Sequence, residues 1–139
     1  MINLLSGIDC TAAALAAERI RMDVVTQNIA NANTVRGLDG KPYQRQQVVF
    51  ETVLRDRLAA SAGPGASAAS TVQVARVEAD TRPPRLVFDP YRGTVEMPNI
   101  NVHEEMADLI TSSRAFEANL AVLKTARSMA MQTLSIGKR

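Results

Sequence analysis

Two stretches of the chain repeat their apolar residues at helical spacing, and the segment between them does not. Residues 8–31 contain neither Gly nor Pro and place an apolar side chain at every seventh position: Ile8, Leu15, Met22 and Ile29. Ala12 and Val25 widen this stripe, and Glu18 and Arg19 interrupt it. Ser6 followed by Asp9 predicts a capping pair at the start. Asn31, Asn33, Thr34 and Gly37 predict the end, because these residues favour caps and turns over helix interior. Toward the C-terminus, Pro98-Asn99-Ile100-Asn101 stops one segment, and Asn101 with Glu104 resembles a capping box for the next. Two interleaved heptad rows follow. One is Val102, Leu109, Phe116, Leu123, Ala130; the other is Met106, Ser113, Leu120, Arg127, Leu134. Eight of these ten positions are apolar, which predicts a long coiled-coil-like helix over 102–135.

The middle follows a shorter period. Tyr43–Leu54, with Val48, Val49, Phe50 and Val53, predicts a strand. Val72, Val74 and Val77 predict a second, and Leu86–Phe88 and Thr94–Met97 short further ones, with a turn at Asp89-Pro90 and Gly93. Residues 59–71 are small and of low complexity and read as a flexible loop. The predicted fold is therefore α+β: long N- and C-terminal helices forming a coiled-coil-like layer, with a small β-rich middle domain. The expected segments are a helical arm over 1–35 with an Asn-rich end, a β-rich domain over 36–98, and the heptad helix over 99–139. The only large apolar surface expected for each helix within the chain is the other helix. Because the N-terminal stripe is thin, much of the second would stay wet, and an exposed stripe of that size marks a protein–protein surface.

Composition sharpens this picture. The chain has 139 residues, of which 46% are hydrophobic, but 21 are alanine and only five are aromatic. Aromatic side chains bury ~150–250 Å² each, so their scarcity argues against a tightly packed β domain or a pocket-bearing enzyme. A formal net charge of +2 with no basic stripe excludes a nucleic-acid partner; Arg76, Arg82, Arg85 and Arg92 read as a solvated face. The single cysteine, Cys10, forms no intrachain disulfide, and with the single histidine, His103, it leaves no basis for a metal or cofactor site. His103 reads as part of a helix start in which Glu104 and Glu105 complement the dipole. No apolar run approaches the ~20 residues that span a bilayer. The N-terminus lacks the pattern of a cleaved signal. Asn28 and Asn31 lie three apart on one helix face. Two readings stay open for them: helix termination, or a fixed hydrogen-bond set at a subunit contact.

Several segments carry a resemblance. Met22–Val25 and Asn28–Thr34 (NIANANT) resemble the N-terminal signature of bacterial flagellar rod, hook and related axial proteins. Tyr43–Gln46, Val48–Phe50, Met97–Val102 with Glu104–Met106, and Ser113–Asn119 (SRAFEAN) are similar to the proximal-rod members of that group. The family usually has a longer segment where only Tyr91 and Arg92 separate Asp89-Pro90 from Gly93.

The resemblance implies a non-enzymatic structural subunit of the basal-body rod, with a coiled-coil export chaperone or another axial subunit as alternatives. It implies export without a cleaved signal and assembly in the periplasm around a central channel. The implied partners are other copies of the chain, other rod subunits, ring or rod-adaptor proteins and the type III export apparatus. The seam residues assigned to subunit contact are Ile8, Leu15, Met22, Val25, Ile29, Val102, Met106, Leu109, Phe116, Leu120 and Leu123. The axial motif residues are Asn28, Asn31 and Asn33. The rod-type motif residues are Pro98, Asn99, Asn101, Glu104, Glu105, Met106, Arg114, Glu117 and Asn119.

Overall fold

A computed structural model describes residues 4–37, 40–54 and 70–137. The element order is α1 (Leu4–Ala30), β1 (Gln46–Leu54), β2 (Ser70–Ala79), β3 (Arg85–Asp89), β4 (Gly93–Met97) and α2 (Val102–Ile136). This is the expected α+β arrangement, two long terminal helices flanking antiparallel strands. The expected loop at 59–71 lies outside the described residues except for Ser70 and Thr71, which belong to β2.

α1 begins at Leu4, so Ser6 and Asp9 lie inside the helix and do not cap it. A serine costs a helix interior only a few tenths of a kcal/mol, too little to stop a turn that can continue. The other end stops as the asparagines require. Both the backbone N–H and the side-chain Nδ2 of Asn31 donate to the Gln27 carbonyl, at 3.0 and 2.9 Å. The Thr34 hydroxyl and N–H then bond back to Asn31.

α2 starts at Asn101, whose side chain accepts from the His103 N–H at 3.2 Å. The capping box is altered: Asn101 Nδ2 donates to Glu104 Oε1 at 3.0 Å, so the pair is joined side chain to side chain. Gly137 closes the helix by donating to the Thr133 carbonyl.

The helices run antiparallel, since Asn28 meets Glu105 and Arg21 reaches Asp108 at 3.8 Å. At 1.5 Å per residue they are ~40 and ~52 Å long, and residues 131–137 at the far end of α2 are all exposed. The row Val102, Leu109, Phe116, Leu123 is half-buried as expected. The second expected row does not form the seam within the chain. Met106 is 51% exposed, Leu134 68%, and Arg127 is exposed, although Ser113 and Leu120 are half-buried. Glu105 and Ser112 are instead fully buried. Rows at +3 and +4 flank Val102 on opposite sides. α1 lies on the +3 side, where the small Ser112 permits close approach.

α1 also has a second neighbour that the sequence reading did not foresee. β1 and β2 both pack on it, whereas among the described strands none packs on α2. The other helix is therefore not the only surface available to α1. Its deepest positions are Ala17, Val24, Val25 and Asn28, while Ile8, Leu15, Met22 and Ile29 are half-buried alongside.

The strands form two separate hairpins, β1–β2 and β3–β4, each antiparallel. β1 starts at Gln46, three residues later than expected, because Tyr43–Arg45 serve as a connector. Tyr43 N–H donates to the Thr34 carbonyl, and the Arg45 carbonyl accepts from Asp80 N–H at 2.7 Å. The register slips between Val49 and Phe50, leaving Ala75 of β2 unpaired as a bulge. In the β3–β4 turn, Asp89 Oδ1 accepts from Tyr91 N–H, and Gly93 takes φ +78°, which a side chain would strain.

The buried hydroxyl of Ser112 has no hydrogen-bond partner. Leaving such a group unsatisfied costs about 1–3 kcal/mol. Ser112→Ala is therefore expected to hold or raise the urea unfolding midpoint. Ser112→Leu, which overpacks the close approach, is expected to lower stability by roughly 1–3 kcal/mol. A lower midpoint for the alanine variant would contradict this reading.

Candidate functional site: a buried polar hub

A buried, hydrogen-bonded polar cluster forms where α1, α2 and the lead into β1 meet. Asn28 is 1% exposed and uses its whole amide. Its Nδ2 donates to the Gln46 carbonyl at 2.8 Å and to Glu105 Oε2 at 3.0 Å. Its Oδ1 accepts from Gln46 N–H at 2.9 Å and from the Tyr43 hydroxyl at 3.1 Å. An amide has two N–H donors and two acceptor lone pairs, so nothing on Asn28 is left over. The backbone of the first β1 residue is thereby fixed to a helix side chain through both its polar groups.

Glu105 is also 1% exposed and is an ionisable side chain buried in the first turn of α2. Arg45 Nε donates to its Oε1 at 2.6 Å, a charge-assisted bond. Arg45 continues outward, with Nη1 at 3.6 Å from Asp80 Oδ2. Arg82 closes the run: its N–H donates to Asp80 Oδ1 at 3.0 Å, and its guanidinium contacts Oδ2 at 2.7 Å. The chain Asn28–Glu105–Arg45–Asp80–Arg82 thus runs from the helix interior to the surface beside the β2–β3 connector.

Two groups respond electrostatically. The Arg82 backbone N–H, reinforced by the Arg82 side chain and by the Arg82 and Arg45 charges, holds the Asp80 carboxyl below its ordinary value of 3.8, against the opposing effect of partial burial. Burial, and then the negative Glu105 beside it, push the Tyr43 phenol above 10.0.

The remaining predicted residues fall into place around this hub. Asn31 terminates α1, as one reading allowed, while Asn28 bonds inside the chain and Asn33 is exposed. Pro98 is buried and Asn99 donates to the Pro83 carbonyl at 3.2 Å, tethering the segment that leads into α2. Arg114 and Glu117 are exposed and Asn119 is half-buried. His103 is exposed, and among the described residues no cluster of His, Cys, Asp or Glu could hold a metal ion. No described helix is long and apolar enough to cross a membrane. The sequence reading did not assign roles to Tyr43, Arg45, Gln46 or Asp80. The available signal was an Arg flanked by polar residues just before a valine-rich strand.

Comparison with known proteins decides what this architecture belongs to. The family described as "Flagella basal body rod protein" matches residues 8–36, and that described as "Flagellar basal body rod FlgEFG protein C-terminal" matches residues 91–136. The flagellar basal-body rod protein FlgC of Salmonella typhimurium is 39% identical over 141 residues, covering 97% of this chain and 98% of the relative. FlgC of Borreliella burgdorferi is 37% identical over 155 residues, covering 97% and 98%. FlgC of Bacillus subtilis is 34% identical over 149 residues, covering 95% and 97%. The chain belongs to the FlgC family of flagellar basal-body rod proteins.

As a FlgC-family protein it is a structural rod subunit and not an enzyme, which sets aside the export-chaperone alternative. The hub also gives the FlgC-like segments a physical reason. Asn28 comes from NIANANT, Tyr43 and Arg45 from the segment before β1, and Glu105 from the segment opening α2. Three separated motifs meet at one buried point.

Two outcomes follow. Asn28→Ala strands the Gln46 N–H and the Tyr43 hydroxyl and is expected to cost about 2–3 kcal/mol. Asn28→Asp is expected to cost more, since it sets a second carboxylate against Glu105 and the Gln46 carbonyl; chemical denaturation measures both. Because the folded Asp80 carboxyl is held down, its contribution is fully present above pH 3.8 and is lost as pH falls below that value. Unfolding midpoints measured down an acid series should therefore fall less steeply for Asp80→Asn than for the wild type.

Proposed function

We propose that this rod protein builds the proximal rod by packing its two terminal helices against those of neighbouring subunits into a tube around the export channel. The observation behind this reading is the apolar surface that α2 leaves uncovered. Ile110, Val122, Met129, Met131, Leu134 and Ile136 are each at least half exposed, and over 131–137 every residue of the helix end is exposed. The buried apolar core of the described residues consists of four side chains, Ala17, Val24, Val25 and Ala32. A core that small stabilises a free subunit weakly, and large exposed apolar stripes mark association surfaces. The missing burial is supplied by neighbours.

In this reading the half-buried seam residues Ile8, Leu15, Met22, Ile29, Leu109, Phe116, Leu120 and Leu123 join the helices, and Met106 faces an adjoining subunit. The hairpins within 36–98 sit outside the helical layer and set lateral contacts, with arms 1–35 and 99–139 forming the wall. The partners are further copies, other rod subunits, ring or adaptor proteins and the type III export apparatus. The site of action is the periplasmic part of the basal body, reached without a cleaved signal. The tube transmits torque.

Val122→Asp and Leu134→Asp test the uncovered apolar surface, since both sites are exposed in the single chain. Each variant is expected to keep the monomer's helical circular dichroism while losing incorporation into basal bodies and swimming in soft agar. Normal incorporation of both would overturn the reading. In amide exchange on dilute monomer, the last turns of α2 are expected to exchange fastest; strong protection there would contradict an uncovered end.

A further inference from the structure

The tie between α2 and the β region is narrow. α2 packs on α1 and on none of the described strands. Its direct polar link to the lead into β1 is the Arg45–Glu105 ion pair at 2.6 Å. α1 holds the β1–β2 hairpin differently, by contact with both strands and by the two bonds of Asn28 to Gln46. Those bonds fix only the first residue of β1, and side-chain packing is non-directional, so the tilt of the hairpin on α1 is open to a further directional contact. The ion pair supplies a second fixed direction. With Glu105 on α2, Asn28 on α1 and Arg45 ahead of β1, the three bodies are triangulated.

Stability alone explains this device poorly. A buried ion pair of this kind is often no more stabilising than apolar residues of similar volume, and its best-attested use is to select one arrangement among several. We propose that Glu105 and Arg45 are positioning residues for assembly: their ion pair fixes the angle at which the β1–β2 hairpin leaves the helical pair, and the growing rod admits subunits held at that angle. This rests on the reading that the helices form the tube wall and the hairpins set lateral contacts.

The test measures angle separately from stability. Spin labels are placed on Glu117→Cys of α2 and Gln73→Cys of β2, both exposed sites, with Cys10→Ala in the full chain. Pulsed electron paramagnetic resonance then gives the helix-to-hairpin distance. Glu105→Gln keeps the size of the side chain and removes its charge; Arg45→Gln removes the other partner from a site whose side chain is 20% exposed. The expected result is one narrow distance in the parent. In both variants the narrow peak is lost while helical circular dichroism is kept, and swimming and basal-body incorporation are lost.

A narrow, unshifted distance in both variants overturns the proposal. So does full incorporation despite a broadened distance. Loss of helical signal in both overturns it too, because the pair would then hold the fold rather than the angle. Leu134→Asp separates this failure from failure of the assembly reading. If that variant fails to assemble while the two hub variants stay narrow and assemble normally, only the positioning role is wrong. If Leu134→Asp assembles normally, the assembly reading itself fails.

Discussion

The amide of Asn28 is the constraint around which the rest of the chain is arranged. Its two donors and two acceptors are shared among α2, the start of β1 and the connector before it. An amide buried at 1% exposure tolerates little displacement of any partner, because each unmade bond leaves a desolvated polar group. The helix pairing register follows from it, since placing Glu105 opposite Asn28 sets which face of α2 meets α1. The burial of Ser112 follows from that register, and so does the exposure of Met106. Among the described residues, a buried apolar core of Ala17, Val24, Val25 and Ala32 could not impose such uniqueness by packing alone.

Much of the fold was legible in the sequence because long helices announce themselves by period. Residues 8–31 and 102–135 were bounded almost correctly, and Asn101, Asn31 and Gly93 acted where turn chemistry places them. Two features were not legible, for physical reasons. From Val102 and Leu109, the +4 positions are Met106 and Ser113 and the +3 positions are Glu105 and Ser112, so hydrophobic pattern alone selects Met106 over Glu105. The chain selects the opposite side, because Glu105 finds Arg45 and Asn28 there and Ser112 lets the backbones close. The second is the role of α1 as the central element. A stripe broken by Glu18 and Arg19 looked thin, but α1 distributes its contacts between α2 and the β1–β2 hairpin.

The hub was legible only in pieces. Asn28 stood out as a polar residue on an apolar helix, and Glu105 stood out within a motif. Their meeting joins positions 77 residues apart, and nothing in a local period reports such a contact. Arg45 and Asp80 carried no periodic signal at all. Their importance comes from the geometry that brings a connector, the end of β2 and the first turn of α2 together. Membership of the FlgC family explains why the segments co-occur; the hydrogen bonds explain what they do together.

The exposed end of α2 has one more property. From Ser128 to Gly137 the chain contains no charged residue, in contrast to the Arg21–Asp108 pair and the Asp80–Arg82 contact nearer the hub. Contacts between exposed charges weaken as ionic strength rises, with a screening length of about 8–10 Å near physiological salt. Burial of methionine, leucine and isoleucine has no such dependence on mobile ions. A junction formed by this end of the helix holds its strength when the surrounding salt concentration changes.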